Sequence, residues 1–483
     1  MSEHLTPNRR ELLKGTIAPF FVRTARGATR PPNVIFFLTD DHGAWATRCY
    51  GCLDMHTPNL DRLASEGARF TRAYACTPVC SPRRMTYLTG KLPSHHGVQD
   101  WILNDESVGP KSRPFLQGQT TFSEILANHG YTVGLSGKWH MGGDERAQAG
   151  FSYWATVPGG GGTYKNAVFV KNGQPLATEG YKTNHVGNHA IEFIEQNRDR
   201  PFCLYCPFFA PHVPYDYQPE EFRRFYNNAS FPCFPNEPIH PWHTRTIMGR
   251  PFPMLDDFNN RESKLSYSAL VAGMDHNVGR ILQRLEELEI RDNTVIIFSA
   301  DQGHNCGHHG IWGKGNSTVP FNMYDTSLHV PLIWNHRGHI KPHQVPTPMV
   351  SSYDFFPTLL EYLGGYVGIQ APPDPHRVGR SYAGFLHGRN PSWHNELYFE
   401  YQYVRGIRTE NLKYVERTAE WPSELFDLEA DPGERQNVID DPRHARQLKA
   451  LRGRLTAFFD EAGAPKIDQW RSTTTETLCT YSR

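Results

Sequence analysis

Pro32-Asn33-Val34-Ile35-Phe36-Phe37-Leu38-Thr39-Asp40-Asp41-His42-Gly43 is a short apolar run that ends on two adjacent acids. Without polar alternation it reads as a buried strand. The acids then lie at its carboxyl end, where open α/β sheets place their ligands. Val295-Ile296-Ile297-Phe298-Ser299-Ala300-Asp301-Gln302-Gly303 repeats the arrangement far along the chain, again a buried strand that delivers a carboxylate to its end. From Asn33 to about Pro372 strand-like runs alternate with helical ones, such as Asp275 to Leu288 before the Val295 strand. This predicts an α/β core with helices on both faces of the sheet.

Between these strands lies Cys80-Ser81-Pro82-Arg83-Arg84-Met85-Thr86-Tyr87-Leu88-Thr89-Gly90. Ser81 suits a helix N-cap, Pro82 the first helical turn and Gly90 a helix C-terminus. Cys80 thus falls at a helix start, where unpaired N–H groups and the positive dipole end favour an anion, and Arg84 adds a fixed positive charge. A tetrahedral oxyanion fits such a site. The pattern C-x-P-x-R-x-x-x-L-T-G resembles the signature of the type I sulfatases of the alkaline phosphatase superfamily. The resemblance implies that a formylglycine-generating enzyme oxidises Cys80 to formylglycine, whose aldehyde hydrate is the nucleophile. Read from Cys76 the pattern fails, with Cys80 where Arg is required, so Cys76 reads as a packed thiol.

The resemblance extends over nearly the whole chain. His56-Thr57-Pro58-Asn59-Leu60-Asp61-Arg62-Leu63-Ala64 resembles the family's H-T-P-N-L-D-x-L-A segment, a turn feeding an amphipathic helix. Gly134-Leu135-Ser136-Gly137-Lys138-Trp139-His140 matches the G-K-W-H block. It implies that Lys138 binds a sulfate oxygen and that His140 holds or deprotonates a hydroxyl of the hydrate. Two residues apart, they share a face only if the chain is extended, which suits a strand end. His212, in Ala210-Pro211-His212-Val213-Pro214-Tyr215 after the strand-like Phe202 to Cys206, matches the P-H-x-P histidine, a candidate acid for the departing alcohol. Lys314, twelve residues after Gln302, matches the second sulfate-binding lysine.

Asp40, Asp41, Asp301, Gln302 and the hydroxyl made from Cys80 form the implied metal set. Such oxygen donors favour calcium or magnesium over zinc, and the resemblance favours calcium. Gln302 departs from the family, which commonly has Asn or His there. Its amide oxygen can ligate a hard cation, but the backbone must absorb the extra methylene. His304, His308 and His309 read as lining of the substrate entrance, with a transition-metal cluster as the alternative. Asp100, Trp101, Tyr215, His304, His308 and Trp312 are the candidates for the alcohol side of the site.

The implied reaction is hydrolysis of a sulfate ester to alcohol and inorganic sulfate, with a sulfated carbohydrate or other sulfated small molecule as substrate. An aryl sulfatase, and a phosphodiesterase or phosphonate monoester hydrolase of the same superfamily, remain alternatives. A silent protein that only binds a sulfated ligand is the reading of another class.

The 483 residues exceed one typical core, and 50 basic against 50 acidic residues leave no net charge, which argues against general nucleic-acid binding. No apolar run has the length of a membrane span. Of nine Cys, Cys49 with Cys52 and Cys203 with Cys206 have C-x-x-C spacing, which suggests zinc or redox chemistry. Cys203 and Cys206 fall in a strand-like segment, where residues three apart point to opposite faces and cannot chelate together. Asn8-Arg9-Arg10-Glu11-Leu12-Leu13-Lys14 before a modestly apolar stretch resembles a twin-arginine signal for export to the periplasm or beyond, the alternative being a basic tail on a cytoplasmic protein. Residues 1–31 are therefore set apart. The resemblance gives residues 32–372 an alkaline-phosphatase-like α/β fold, a large mixed β-sheet flanked by helices. Residues 373–483 become a small C-terminal subdomain with a four-stranded antiparallel sheet and a helix, expected from Pro442 to Glu461.

Overall fold

All seven residues of strand β1, Asn33–Thr39, are buried because helices cover both sides of it. Ile35 and Phe37 pack with Val186 and Phe193 of one helix and Leu270 and Met274 of another. Val34, Phe36 and Leu38 point the other way, into a cluster with Phe355, Phe356 and Leu359. Each such side chain contributes about 1.5–3 kcal/mol on burial, so the uninterrupted apolar run is what a doubly covered strand requires. The computed structural model describes residues 30–466, apart from 244–245, 248–249, 252–253 and 419. The residues of the twin-arginine reading lie outside the described ones.

Ten strands form the main sheet. After β1 come β2 (Ala68–Tyr74), β3 (Thr132–Lys138), β4 (Phe151–Val157), β5 (Val168–Lys171), β6 (Gln174–Ala177) and β7 (Phe202–Pro207). They are followed by β8 (Thr294–Ala300), β9 (His329–Asn335) and β10 (Val350–Ser351). The spatial order is β10-β2-β9-β8-β1-β7-β3-β4-β5-β6. The central strands β8, β1, β7 and β3 run parallel, with Thr39 beside Ala300 and Leu38 beside Pro207. Their carboxyl ends therefore open on one edge of the sheet.

The main helices are α1 (Pro58–Ser65), α2 (Cys80–Thr89), α3 (Lys182–Asn197), α4 (Arg261–Glu287), α5 (Ser352–Val367) and α6 (Ala445–Glu461). Helix α4 starts well before the expected Asp275, with Asn260 as N-cap through a side chain that accepts from Glu262 N–H. The H-T-P-N-L-D segment does feed a helix. Asp275 of α4 accepts the Asn59 and Leu60 amides at 3.1 and 2.9 Å, which satisfies open donors at the start of α1.

Helix α2 ends as expected at Gly90, whose φ of 72° suits a residue without Cβ. Its start corrects the sequence expectation: Cys80 itself is helical and Ser81 is no N-cap. The Ser81 hydroxyl instead accepts the Ile102 amide at 3.0 Å, tying the loop after α2 to the helix.

A second sheet consists of β11 (Leu397–Tyr401), β12 (Val404–Arg408), β13 (Leu412–Arg417) and β14 (Glu424–Asp427), antiparallel in that order. Leu448, Leu451, Leu455 and Phe459 of α6 cover one face over Ile407, Tyr414 and Leu425. The other face packs Phe399, Tyr401 and Val415 against Tyr74, Phe321 and Val79, the residue before Cys80. The small sheet thereby supports the start of α2. Among the described residues no helix is long and apolar enough to cross a membrane.

Cys52 is disulfide-bonded to Cys233, so Cys49 and Cys52 form neither a chelate nor a redox pair with each other. Cys203 and Cys206 fall in the two cores on opposite sides of the sheet, as their strand position requires. Cys76 is a buried thiol beside Thr86 Oγ1.

Candidate active site

Asp40 and Asp41 follow β1, and Asp301 and Gln302 follow β8. The neighbouring strand ends are joined by Asp301 N–H to Thr39 O at 2.9 Å and His42 N–H to Gln302 O at 3.0 Å. Asp41 has a φ of 60°, and its carbonyl accepts from the Tyr267 hydroxyl at 2.8 Å, which holds that turn in place. Three carboxylates are thus buried together, each facing a cation. Lys138 pairs with Asp40, and Lys314 reaches Asp41 Oδ1 at 2.7 Å. Arg84 grips Asp301 Oδ2 through Nε at 3.0 Å and Nη2 at 2.7 Å, and also lies 3.6 Å from Asp40. Burial would raise the Asp40 pKa, but Lys138, His212, Arg84 and Lys314 overcome it and hold the carboxyl well below the usual range. Lys314 shows the converse: burial works against its charge, and Asp41 and its neighbours raise it well above an ordinary lysine.

Cys80, at the start of α2, projects into this charge cluster. Its Sγ lies 3.2 Å from Asp40 Oδ1, 2.9 Å from Lys314 Nζ and 3.2 Å from Gln302 Nε2. Burial and Asp40 push the thiol up to about 12 against the pull of Lys138 and Lys314. A thiol so held is protonated and a poor nucleophile at neutral pH.

His140 and His212 flank the sulfur. His140 does not continue an extended strand, which corrects the expectation from its spacing. β3 ends at Lys138, and His140 adopts a φ of 59°. The turn still brings both side chains to one cavity. His140 Nε2 donates to Ile102 O at 2.9 Å, which leaves Nδ1, buried and without a protein partner, as the basic nitrogen. His212 Nδ1 donates to Val213 O, and its Nε2 faces Asp41 Oδ2 at 3.5 Å.

The cavity measures about 290 Å³. Cys80, Lys138, His140, His212 and Lys314 line it together, and Val79, Trp101, Ile102, Leu103, Asn104, Gly159, Gly160, Val213, Met254 and Asn316 complete its wall. Of the residues expected on the alcohol side, only Trp101 is in that wall. Asp100 is buried and accepts from Tyr401 and Gln402 at the β11–β12 turn. Trp312 is fully buried against Tyr215 and Phe234, and Tyr215 also meets Tyr267. His304 is buried with Nδ1 on Cys306 Sγ at 3.0 Å, and His308 donates to Asn305 O at 2.6 Å. His309 stacks on Tyr324 at 3.8 Å, so the three rings turn to separate partners and form no metal cluster. The amides of Asn104 and Asn316 and the glycines 159 and 160 are wall residues the sequence did not flag. Only the run of four glycines from Gly159 gave a signal, as backbone open to close approach.

The donor set fits a hard divalent cation. Asp40, Asp41 and Cys80 converge with His212 within 4.8 Å, while Asp41 Oδ2 and Gln302 Oε1 are buried oxygens without a hydrogen-bond partner. Asp301 stands beside them with Oδ1 on the Asp41 and Gln302 amides and Oδ2 on Arg84. Gln302 turns its Nε2 toward Asp40 and Asp41, and rotation of the amide would present Oε1 to the same point.

The family model described as Sulfatase matches residues 32–366. The chain belongs to the sulfatase family. It is a sulfuric ester hydrolase with the alkaline-phosphatase-like fold. Residues 307–461 also match the model described as N-sulphoglucosamine sulphohydrolase, C-terminal. The N-acetylglucosamine-6-O-sulfatase of Bacteroides thetaiotaomicron is 28% identical, across 88% of this sulfatase and 85% of that protein. A solved protein in complex with its substrate D-glucosamine-2-N,6-O-disulfate superposes with a TM-score of 0.75 at 25% identity, covering 92% of this chain and all of that one. The phosphonate monoester hydrolase of Agrobacterium radiobacter shares the fold at TM-score 0.67 and 21% identity, over 89% of this chain and 96% of its own.

Proposed function

We propose that this sulfatase removes sulfate from a sulfated carbohydrate by means of formylglycine at position 80 and a calcium ion at the ends of β1 and β8. The observation that carries the proposal is the convergence of Cys80, Lys138, His140, His212 and Lys314 on one cavity beside buried, unsatisfied oxygen donors. The sugar is supported by the relative that acts on N-acetylglucosamine and by the glucosamine disulfate complex.

Lys138 and Lys314, both buried, bind the sulfate oxygens and neutralise the charge that grows on them. Arg84 keeps Asp301 in place. The formylglycine hydrate supplies the nucleophile; Asp40, Asp41, Asp301 and Gln302 would hold a calcium ion, which would supply Lewis-acid polarisation of sulfate. His212, protonated on both ring nitrogens beside Asp41, delivers its Nε2 proton to the leaving alcohol. His140 accepts one at Nδ1 when the site is regenerated.

Maturation calls for a formylglycine-generating enzyme as partner. Export through the twin-arginine route is supported by Asn8-Arg9-Arg10 and by the Cys52–Cys233 disulfide, since disulfides persist in oxidising compartments. Residues 32–372 then form the catalytic domain and 373–483 its C-terminal subdomain. Mass spectrometry of the peptide spanning Thr77 to Arg83, from protein made with the maturation enzyme, tests the nucleophile. The aldehyde at position 80 is the expected result, and an unchanged thiol under those conditions refutes it.

A further inference from the structure

The groups given to the reaction are only part of the cavity lining, and the remainder is left to meet the alcohol that leaves. Asn316 is the buried polar residue of that remaining lining with no part in the reaction as described. It belongs to the single helical turn Gly315–Ser317, two residues beyond Lys314, and is 2% exposed. Its side chain lies in the cavity wall, and no hydrogen bond engages its carboxamide among the described residues. A carboxamide on the wall of this cavity, open to it and engaged by no protein group among the described residues, is free to meet a partner from outside the protein.

The backbone around Asn316 is clasped in place. Lys314 N–H donates to Ser317 Oγ at 3.0 Å, and Asn322 Nδ2 donates to Lys314 O at 3.1 Å. Asn322 N–H donates to Gly315 O at 3.1 Å, and its Oδ1 accepts from Ser327 Oγ at 2.9 Å. The same clasp therefore fixes a sulfate-binding lysine and the carboxamide beside it. The wall also holds Trp101, Ile102 and Leu103, and the glycines 159 and 160. An aromatic and aliphatic surface with a fixed carboxamide suits a pyranose, which offers an apolar C–H face and a rim of hydroxyls.

We propose that Asn316 selects a sugar as the leaving group, by hydrogen bonds from its carboxamide to a hydroxyl or acetamido group of a sulfated pyranose that packs on Trp101. This rests on the sulfatase reading of the cavity and adds the substrate determinant. An aryl sulfate carries no such group and is indifferent to the carboxamide.

The test compares wild type and Asn316→Ala, both matured full-length protein, on N-acetylglucosamine 6-sulfate and on 4-nitrophenyl sulfate. The variant is expected to lose about tenfold in kcat/KM on the sugar and less than about twofold on the aryl ester, as for one lost neutral hydrogen bond. A binding comparison free of turnover uses calorimetry of N-acetylglucosamine 6-sulfate with Cys80→Ser and with Cys80→Ser/Asn316→Ala, and the second protein is expected to bind about tenfold more weakly. Equal losses on both esters, or equal binding by both proteins, overturn the assignment. Wild type that hydrolyses neither ester contradicts the sulfatase reading instead, and the calorimetric comparison still decides the role of Asn316.

Discussion

The ammonium of Lys314 lies 2.9 Å from the sulfur of Cys80 and is ion-paired at 2.7 Å with Asp41. One buried cation therefore touches both Cys80, the position proposed for the nucleophile, and one of the two carboxylates at the end of β1. Lys314→Met keeps much of the side-chain volume and removes the charge. It is expected to lower kcat on a sulfate ester by about 10²–10³-fold, the scale of removing a preorganised charge from a reacting anion. Steady-state kinetics at saturating substrate check this, and a change confined to KM argues against a role in the transition state.

Metal dependence follows from the unsatisfied Asp41 Oδ2 and Gln302 Oε1. Chelation is expected to abolish activity, with calcium restoring it better than magnesium or zinc. Calcium at about 100 times its Kd adds about 2.7 kcal/mol to stability, because only the folded chain assembles the ligands. Thermal unfolding with and without calcium checks this on unmatured protein, and Asp41→Asn is expected to remove most of the shift.

Asp144 introduces a pH dependence. Its Oδ2 accepts the amide of Gly159 at 3.0 Å, Oδ1 has no partner, and burial pushes the carboxyl up to about 7 despite that amide. With a folded pKa above the unfolded value of about 3.9, the folded state holds the extra proton between these pH values. The stabilising contribution of Asp144 is complete below about pH 4 and is lost as pH rises through about 7, with a slope of at most about 1.4 kcal/mol per unit. Asp144→Asn is expected to flatten this part of the stability profile between pH 5 and 8 in denaturant titrations. An unchanged slope shows that Asp144 is ionised throughout.

The Cys52–Cys233 bridge spans a sequence separation of 181 residues. Cys233→Ser is expected to cost about 2–5 kcal/mol in unfolding free energy, since the bridge constrains a long loop of the unfolded chain. Because neither cysteine lines the cavity, kcat is expected to remain near that of wild type below the unfolding transition.

The gathering of Asp40, Cys80, Lys138 and Asp301 was legible in the sequence because each of them sits at the end of a local element. Asp40 and Asp301 follow apolar strands, Cys80 opens a helix marked by Pro82 and Gly90, and Lys138 closes a strand. What surrounds them was not. Trp312 and Asp100 were expected on the alcohol side of the site, but one fills a core and the other binds the β11–β12 turn, contacts made by residues distant in sequence. Asn316 and Asn104 carry no periodic or spacing signal, and only the fold brings them into the cavity wall. His140 reached the predicted place by a left-handed turn that spacing alone does not encode. The disulfide was equally hidden, since Cys52 has a C-x-x-C neighbour and its partner lies in a separate loop.

Release of inorganic sulfate from N-acetylglucosamine 6-sulfate by the matured protein, with Cys80→Ala and a phosphate diester measured in parallel, tests the central claim most directly. The account predicts stoichiometric sulfate from wild type, none above background from Cys80→Ala, and slower turnover of the diester. Sulfate release that survives Cys80→Ala, or faster cleavage of the diester, would contradict it.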